Sequence, residues 1–212
     1  SPWAGYGGSR SNTTSLIDLT GKANIDVTSA SWTTDDGQID LDGTGDHFET
    51  STNCGLTSDI TMEAVFKEEG ATAPHTTVLC TDTNYQRGVK LMSFCNNNRY
   101  GLWLGFGSSN HHAMVSETLN NDTVYHLVAS WSQGTGQAKI YLNGVLKSTQ
   151  STGQTGQVSL ANGLIHTGID YHGLGNSYGL NGQVYVGRIY NKVLTDAEVQ
   201  HNYSVYKNRF NI

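Results

Sequence analysis

Aromatic rings, imidazoles and amides gather at three places in this sequence, a mixture suited to holding polyhydroxylated molecules rather than to covalent chemistry. Trp103 lies in an alternating stretch. His111 and His112 follow the turn Gly107-Ser-Ser-Asn110, and Tyr171-His172-Gly-Leu-Gly-Asn176-Ser-Tyr178 joins rings and an amide to permissive glycines. A sugar offers an apolar face to an aromatic ring and hydroxyls to planar polar groups. Trp103, His111, His112, Tyr171, His172, Asn176 and Tyr178 are therefore the candidate ligand-binding residues. Acidic residues make a weaker set. Glu63 is followed by Glu68-Glu69, but Glu63 and Glu68 have opposite parity on a strand, so an edge-strand or solvated role is expected for them. Asp40 and Asp42 share one strand face, with Ile39 and Leu41 pointing the other way, inward. No G-x-S-x-G elbow occurs. No catalytic residue is assigned.

Strands must position these groups. Ile60, Met62, Ala64 and Phe66 alternate with Thr61, Glu63 and Lys67; Tyr100, Leu102, Leu104 and Phe106 alternate with Gly101, Trp103 and Gly105; Ala138, Ile140 and Leu142 alternate with Lys139 and Tyr141. By this parity Trp103 stands on the face opposite the core residues beside it, as a platform or under a covering loop, and the neighbours His111 and His112 point to opposite faces. His126, inside Tyr125-His-Leu-Val-Ala-Ser-Trp131, reads as a packed, hydrogen-bonded core histidine. Turn clusters separate the runs: Asp35-Asp-Gly37, Asp42-Gly-Thr-Gly-Asp46, Ser132-Gln-Gly-Thr-Gly136, and Asn143-Gly144, the last favouring a type I′ hairpin. The polar, Gly-rich stretch 148–157 reads as an exposed loop. Helix is expected only near the end, where Thr195 and Glu198 form a capping box with Leu194 as apolar staple, followed by about 8 to 12 helical residues.

The 212 residues read as a single all-β domain spanning 1–212, either a processed chain or part of a longer polypeptide. A net charge of -6 with no cluster of Lys and Arg argues against nucleic acid or an anionic membrane surface as partner. No apolar run approaches the roughly 20 residues needed to span a bilayer. Cys54, Cys80 and Cys95 are an odd set; Cys80 and Cys95 flank a hairpin several pairs out of register, so buried thiols are expected rather than a disulfide, and no zinc spacing appears.

Taken in order, these segments resemble the laminin G-like and pentraxin-like members of the concanavalin A-like lectin/glucanase superfamily. Ile39 to Phe48 resembles the family's early strand and turn, Asp59 to Phe66 the next core strand, 125–144 the central hairpin, and Leu164-Ile-His-Thr-Gly168 with 180–199 the closing strands and start of the helix. The resemblance implies a two-sheet antiparallel jelly-roll β-sandwich with a short C-terminal helix. Thr14 to Lys22 and Tyr203 to Phe210 are further similar to copies of the domain in tailed-phage virion proteins, which implies a virion surface or other extracellular location. The E-x-D-x-E triplet of the glucanase branch is absent, so the expectation is a non-enzymatic domain binding glycans or cell-surface polysaccharide. Two alternatives stay open: a structural subunit packing against other virion or assembly subunits or as a homo-oligomer, and a glycoside hydrolase or lyase. The likeness to pentraxins also implies calcium, for which Asp82 and Asn84 in the 81–86 loop are the candidate oxygen ligands, against an ordinary Asx-turn.

Overall fold

Fifteen strands pair into two sheets in the computed structural model, which describes residues 15–17, 24–28, 31–32, 39–50, 55–56, 59–70, 74–82, 86–95, 98–160, 164–168 and 178–212. The eight-stranded sheet has the order β1 (Ser15–Ile17), β2 (Asn24–Thr28), β5 (His47–Thr50), β14 (His166–Thr167), β7 (His75–Cys80), β8 (Val89–Cys95), β9 (Arg99–Gly105), β10 (Asn110–Val115). The seven-stranded sheet has the order β13 (Val145–Ser151), β12 (Gln137–Leu142), β11 (Thr123–Ser132), β6 (Ile60–Glu68), β15 (Asn181–Tyr190), β4 (Ile39–Asp42), β3 (Ser31–Trp32). All these pairings are antiparallel, and α1 (Asp196–Phe210) follows the last strand. The architecture is the expected jelly-roll sandwich. Among the described residues no helix is long and apolar enough to cross a membrane.

Alternation decides what enters the core. Ile60, Met62, Ala64 and Phe66 of β6 meet Tyr100, Leu102 and Leu104 of β9 and Leu127, Ala129 and Trp131 of β11 in one buried cluster between the sheets. At one side the sandwich is closed by Gln150 of β13, whose amide accepts from Met114 N–H (3.2 Å) and donates to Met114 C=O (2.6 Å), joining the two edge strands. This corrects the loop expected at 148–157: Ser148 to Ser151 belong to β13, paired with 137–140. An edge strand takes its order from backbone pairing, so polar side chains on both faces did not prevent it.

The outer face of the seven-stranded sheet is covered by α1. Leu194 and Val199, either side of the N-cap, pack with Val128 and Tyr141, and the Thr195–Glu198 capping box forms as expected. The helix runs 15 residues instead of 8 to 12 because Tyr206 and Phe210 keep finding partners: Tyr185 lies 5.2 Å from the Phe210 ring, and the Arg188 guanidinium 5.4 Å from the Tyr206 ring. The Asn143-Gly144 hairpin has positive φ at both residues (48° and 73°), the type I′ form, and docks under the helix. A Cβ on Gly144 would stand 2.6 Å from the Tyr203 ring.

Candidate functional site

Among the described residues the outer face of β8, β9 and β10 carries no helix, and there four rings come together. Register sets Lys90 of β8 and His112 of β10 on either side of Trp103. Trp103 packs with Met92 and Met114 and is only 4 % exposed. His112 covers it, ring centroids 3.9 Å apart, and is itself exposed. His75, at the start of β7, meets Trp103 edge-on at 6.0 Å, and Tyr178 lies 5.4 Å from His75. Thr77 N–H donates to Tyr178 C=O (3.2 Å), which fixes the end of the 171–178 stretch against β7. Of the sequence candidates, Trp103, His112 and Tyr178 are thus brought to one place. Trp103 is the floor of the site, not its contact surface. His75 was missed, because one histidine at the head of the run Thr76-Thr-Val-Leu79 carries no sequence signal.

Burial comes first in the electrostatics of the site, and neighbouring cations second. Burial against the indole, then the positive charges of Arg99, His111 and His75, push the His112 imidazole down to about 4, so it is neutral at neutral pH, with one ring nitrogen donating and the other accepting. Arg99 and Trp103 lie on the same face of β9, four residues apart.

The other candidates lie elsewhere. His111 pairs with Leu104 and turns to the opposite side, edge-on to Phe106 at 5.6 Å, so the expected divergence of the two neighbours holds and His111 is separated from the ring cluster. Tyr171, His172 and Asn176 lie outside the described residues, as does Asn84. Asp82 is described and buried beyond the far end of β7 from His75, beneath Gly88 (φ 71°), where a Cβ would come within 2.7 Å of it. Among the described residues no three His, Cys, Asp or Glu side chains converge to hold a metal; of the two calcium candidates only Asp82 is described, and it is buried. Cys80 is a buried thiol outside any disulfide, five residues along β7 from the partner of Cys95.

A second polar group corrects the reading of Glu63. It is on the central strand β6, 0 % exposed, not at an edge or in solvent, because α1 covers the outer face on which it stands. His126 Nε2 donates to its Oε1 at 2.8 Å; Tyr190 OH (2.6 Å) and Asn202 Nδ2 (3.1 Å) donate to its Oε2. Burial pushes the carboxyl up, but these bonds and the Arg188 charge outweigh it and hold Glu63 below the usual carboxylate range. An ionised carboxylate has no proton to give, so Nε2 carries the hydrogen. His126 is the buried, hydrogen-bonded histidine expected, with Tyr203 stacked at 5.8 Å. Glu68 is buried too, on the inner face; desolvation raises it, opposed by Ser93 and Thr76. Both carboxyls are out of reach of a bound chain of sugars.

A laminin G-type family model, described as "Concanavalin A-like lectin/glucanases superfamily", matches residues 42–200. None of the curated proteins matches the chain. Among solved structures, domain 4 of AbnA, a GH43 extracellular arabinanase from Geobacillus stearothermophilus in complex with arabinotriose, has TM-score 0.71 at 20 % identity, over 88 % of this chain and 91 % of that one. The binding domain of botulinum neurotoxin serotype G has TM-score 0.71 at 14 % identity, over 90 % of this chain and 48 % of that one. The Ruminococcus gnavus IT-sialidase CBM40 bound to α2,3 sialyllactose has TM-score 0.58 at 15 % identity, over 70 % and 84 %. At these identities the likeness concerns the fold.

Proposed function

This chain belongs to the concanavalin A-like lectin/glucanase superfamily, and from that we propose that it is a non-enzymatic domain that binds glycans through the outer face of its eight-stranded sheet. The observation that carries this is the step of rings in which an exposed His112 stands on a buried Trp103 beside His75 and Tyr178. The glycans bound by the AbnA domain and by CBM40 support it by analogy of fold. A non-catalytic role is supported by Glu63 and Glu68, both sealed from substrate. The setting on a phage particle or other extracellular assembly rests on the sequence likeness of 14–22 and 203–210 alone.

A glycan array probed with the purified protein and with His112→Ala is the test. Binding by the parent that the variant loses is the expected result; an array blank with and without calcium refutes the proposal. Calcium at Asp82 and Asn84 belongs to the same reading and predicts that EDTA lowers Tm, an unchanged Tm removing it. A packing subunit is the second reading, favoured by Val145 and Leu146, 58 % and 41 % exposed at the start of edge strand β13. Sedimentation as a monomer at high concentration removes it.

A further inference from the structure

We propose that Glu68 is an acid-closed clasp between the two sheets: as a neutral carboxylic acid it joins Thr76 and Ser93 across the interior, and its ionisation as pH rises loosens that end of the sandwich. Glu68 continues the inward run of Ile60, Met62, Ala64 and Phe66 on β6, so its side chain enters the space between the sheets, where the residue is 6 % exposed. Thr76 of β7 and Ser93 of β8 meet it there from the other sheet, and both are buried. Glu68 Oε1, Thr76 Oγ1 and Ser93 Oγ are three buried oxygens of which none completes a hydrogen bond. The two hydroxyls are near enough to favour the charged form of the carboxyl, yet neither closes onto it.

Nothing at this place balances a charge. On β6 itself Lys67 pairs with Glu69 at 2.9 Å. On the other sheet His75, Lys90 and Arg99 belong to the Trp103 face, and His126 of β11 turns to Glu63 under α1. The inward tyrosines are engaged: Tyr100 OH donates to Glu117 (2.8 Å), and Tyr125 OH accepts from Asn120 N–H (2.9 Å). Opposite Glu68 stand Thr123 on β11 and Gly182 on β15, neither of them charged. None of these groups, nor Asp122 in the turn before β11, is among the causes acting on the Glu68 carboxyl.

A charge removed from water is tolerated when it is paired, well hydrogen-bonded or bound to a metal; otherwise the group takes up a proton. Glu63, five residues earlier on the same strand, has three donors and the Arg188 charge and stays ionised. At Glu68 desolvation comes first and holds the carboxyl above the usual carboxylate range, the hydroxyls only reducing the effect. With its proton the group has an O–H to give and an oxygen that accepts, which suits two hydroxyls. Without it, an uncompensated charge lies between the sheets. Because the folded value lies above the ordinary 4.5, the contribution of Glu68 to stability is full below about pH 4.5 and is lost as pH rises through the folded value.

Three measurements on the whole chain test the clasp. The Glu68 carboxyl, followed by carbon-detected NMR, is expected to titrate above 4.5, and Thr76→Val, which removes a hydroxyl that favours the charged form, to move the midpoint higher still. A parent midpoint at or below 4.5 overturns the proposal, and this reading needs no variant to fold. Thermal unfolding then compares the parent with Glu68→Gln, which keeps the shape and carries no charge at any pH. The expected result is a Tm difference that grows in favour of the variant by about 2 °C or more between pH 4 and pH 8; a constant difference, or one that grows in favour of the parent, overturns it. Hydrogen exchange at the Thr76 and Ser93 amides, corrected for the intrinsic effect of pH, should quicken over the same range in the parent and not in Glu68→Gln. Equal behaviour of the two proteins shows that ionisation loosens nothing, and overturns the clasp.

Discussion

Replacing Glu63 by alanine should be among the most destabilising single changes in the molecule, although the residue reads in the sequence as one more surface acid. Three donors converge on its two oxygens at 2.6 to 3.1 Å, from β11, β15 and α1, and none of the three can turn to water without the helix lifting. Removing one member of a buried charged network costs about 3–5 kcal/mol, since the partners are left unsatisfied. For a domain of this size each kcal/mol moves Tm by about 2–4 °C, so the expected loss is about 6 to 20 °C. Glu63→Gln keeps the shape and an acceptor oxygen, and should cost about 1–2 kcal/mol. Thermal and urea unfolding at pH 7 measure both. Because Glu63 is held below its unfolded value, its contribution is present above about pH 4.5 and is lost as pH falls through the lower folded value, so parent and alanine variant should converge in acid. Glu63→Ala within 2 °C of the parent, or equal losses in the two variants, refutes the account.

Three further changes test other parts of the structure. Thr195→Ala removes the capping box and should cost about 1 kcal/mol, read as a lower Tm, with Thr195→Asp close to the parent. Gly144→Ala forces a side chain onto φ 73° and into the Tyr203 ring, and should cost more than the roughly 1 kcal/mol of the backbone term alone. The His112 ring, followed by NMR, should titrate at about 4, and Arg99→Gln should raise that midpoint part of the way. Its folded value lies below the unfolded one, so it takes stability away as pH falls from about 6.5 to about 4; a midpoint near 6.5 would show that Trp103 does not shield it.

How much of this was legible in the sequence depended on how local the cause was. Alternation in 60–66 and 100–106 placed the core and put Trp103 on the far face, because a strand's own pleat decides which side each residue takes. Thr195 and Glu198 gave the start of α1 for the same reason, since a cap is made by neighbours in the chain. The length of α1 was not local: it depends on Tyr185 and Arg188 being beneath Tyr206 and Phe210. Glu63 was misread on the same ground. Nothing within five residues of it shows that His126, Tyr190 and Asn202 will enclose it. His75 and Tyr178, a hundred residues apart, meet only because the chain returns beside β7 after residue 177.

The two sheets carry the same kind of residue to opposite ends, and the helix decides which. Each outer face bears a histidine: His126 on β11, beside the central strand of the seven-stranded sheet, and His112 on β10, the edge strand of the eight-stranded one. Over His126, α1 lays Asn202, Tyr203 and Tyr206, so its ring donates to a buried carboxylate and binds the fold together. Over His112 no helix lies among the described residues, and its ring covers Trp103 on one side and is exposed on the other. A carboxylate partners the first histidine from within the protein. The second is held neutral by burial against Trp103 first and by neighbouring cations second, so it takes no part in an ion pair and its open side stays a neutral donor and acceptor.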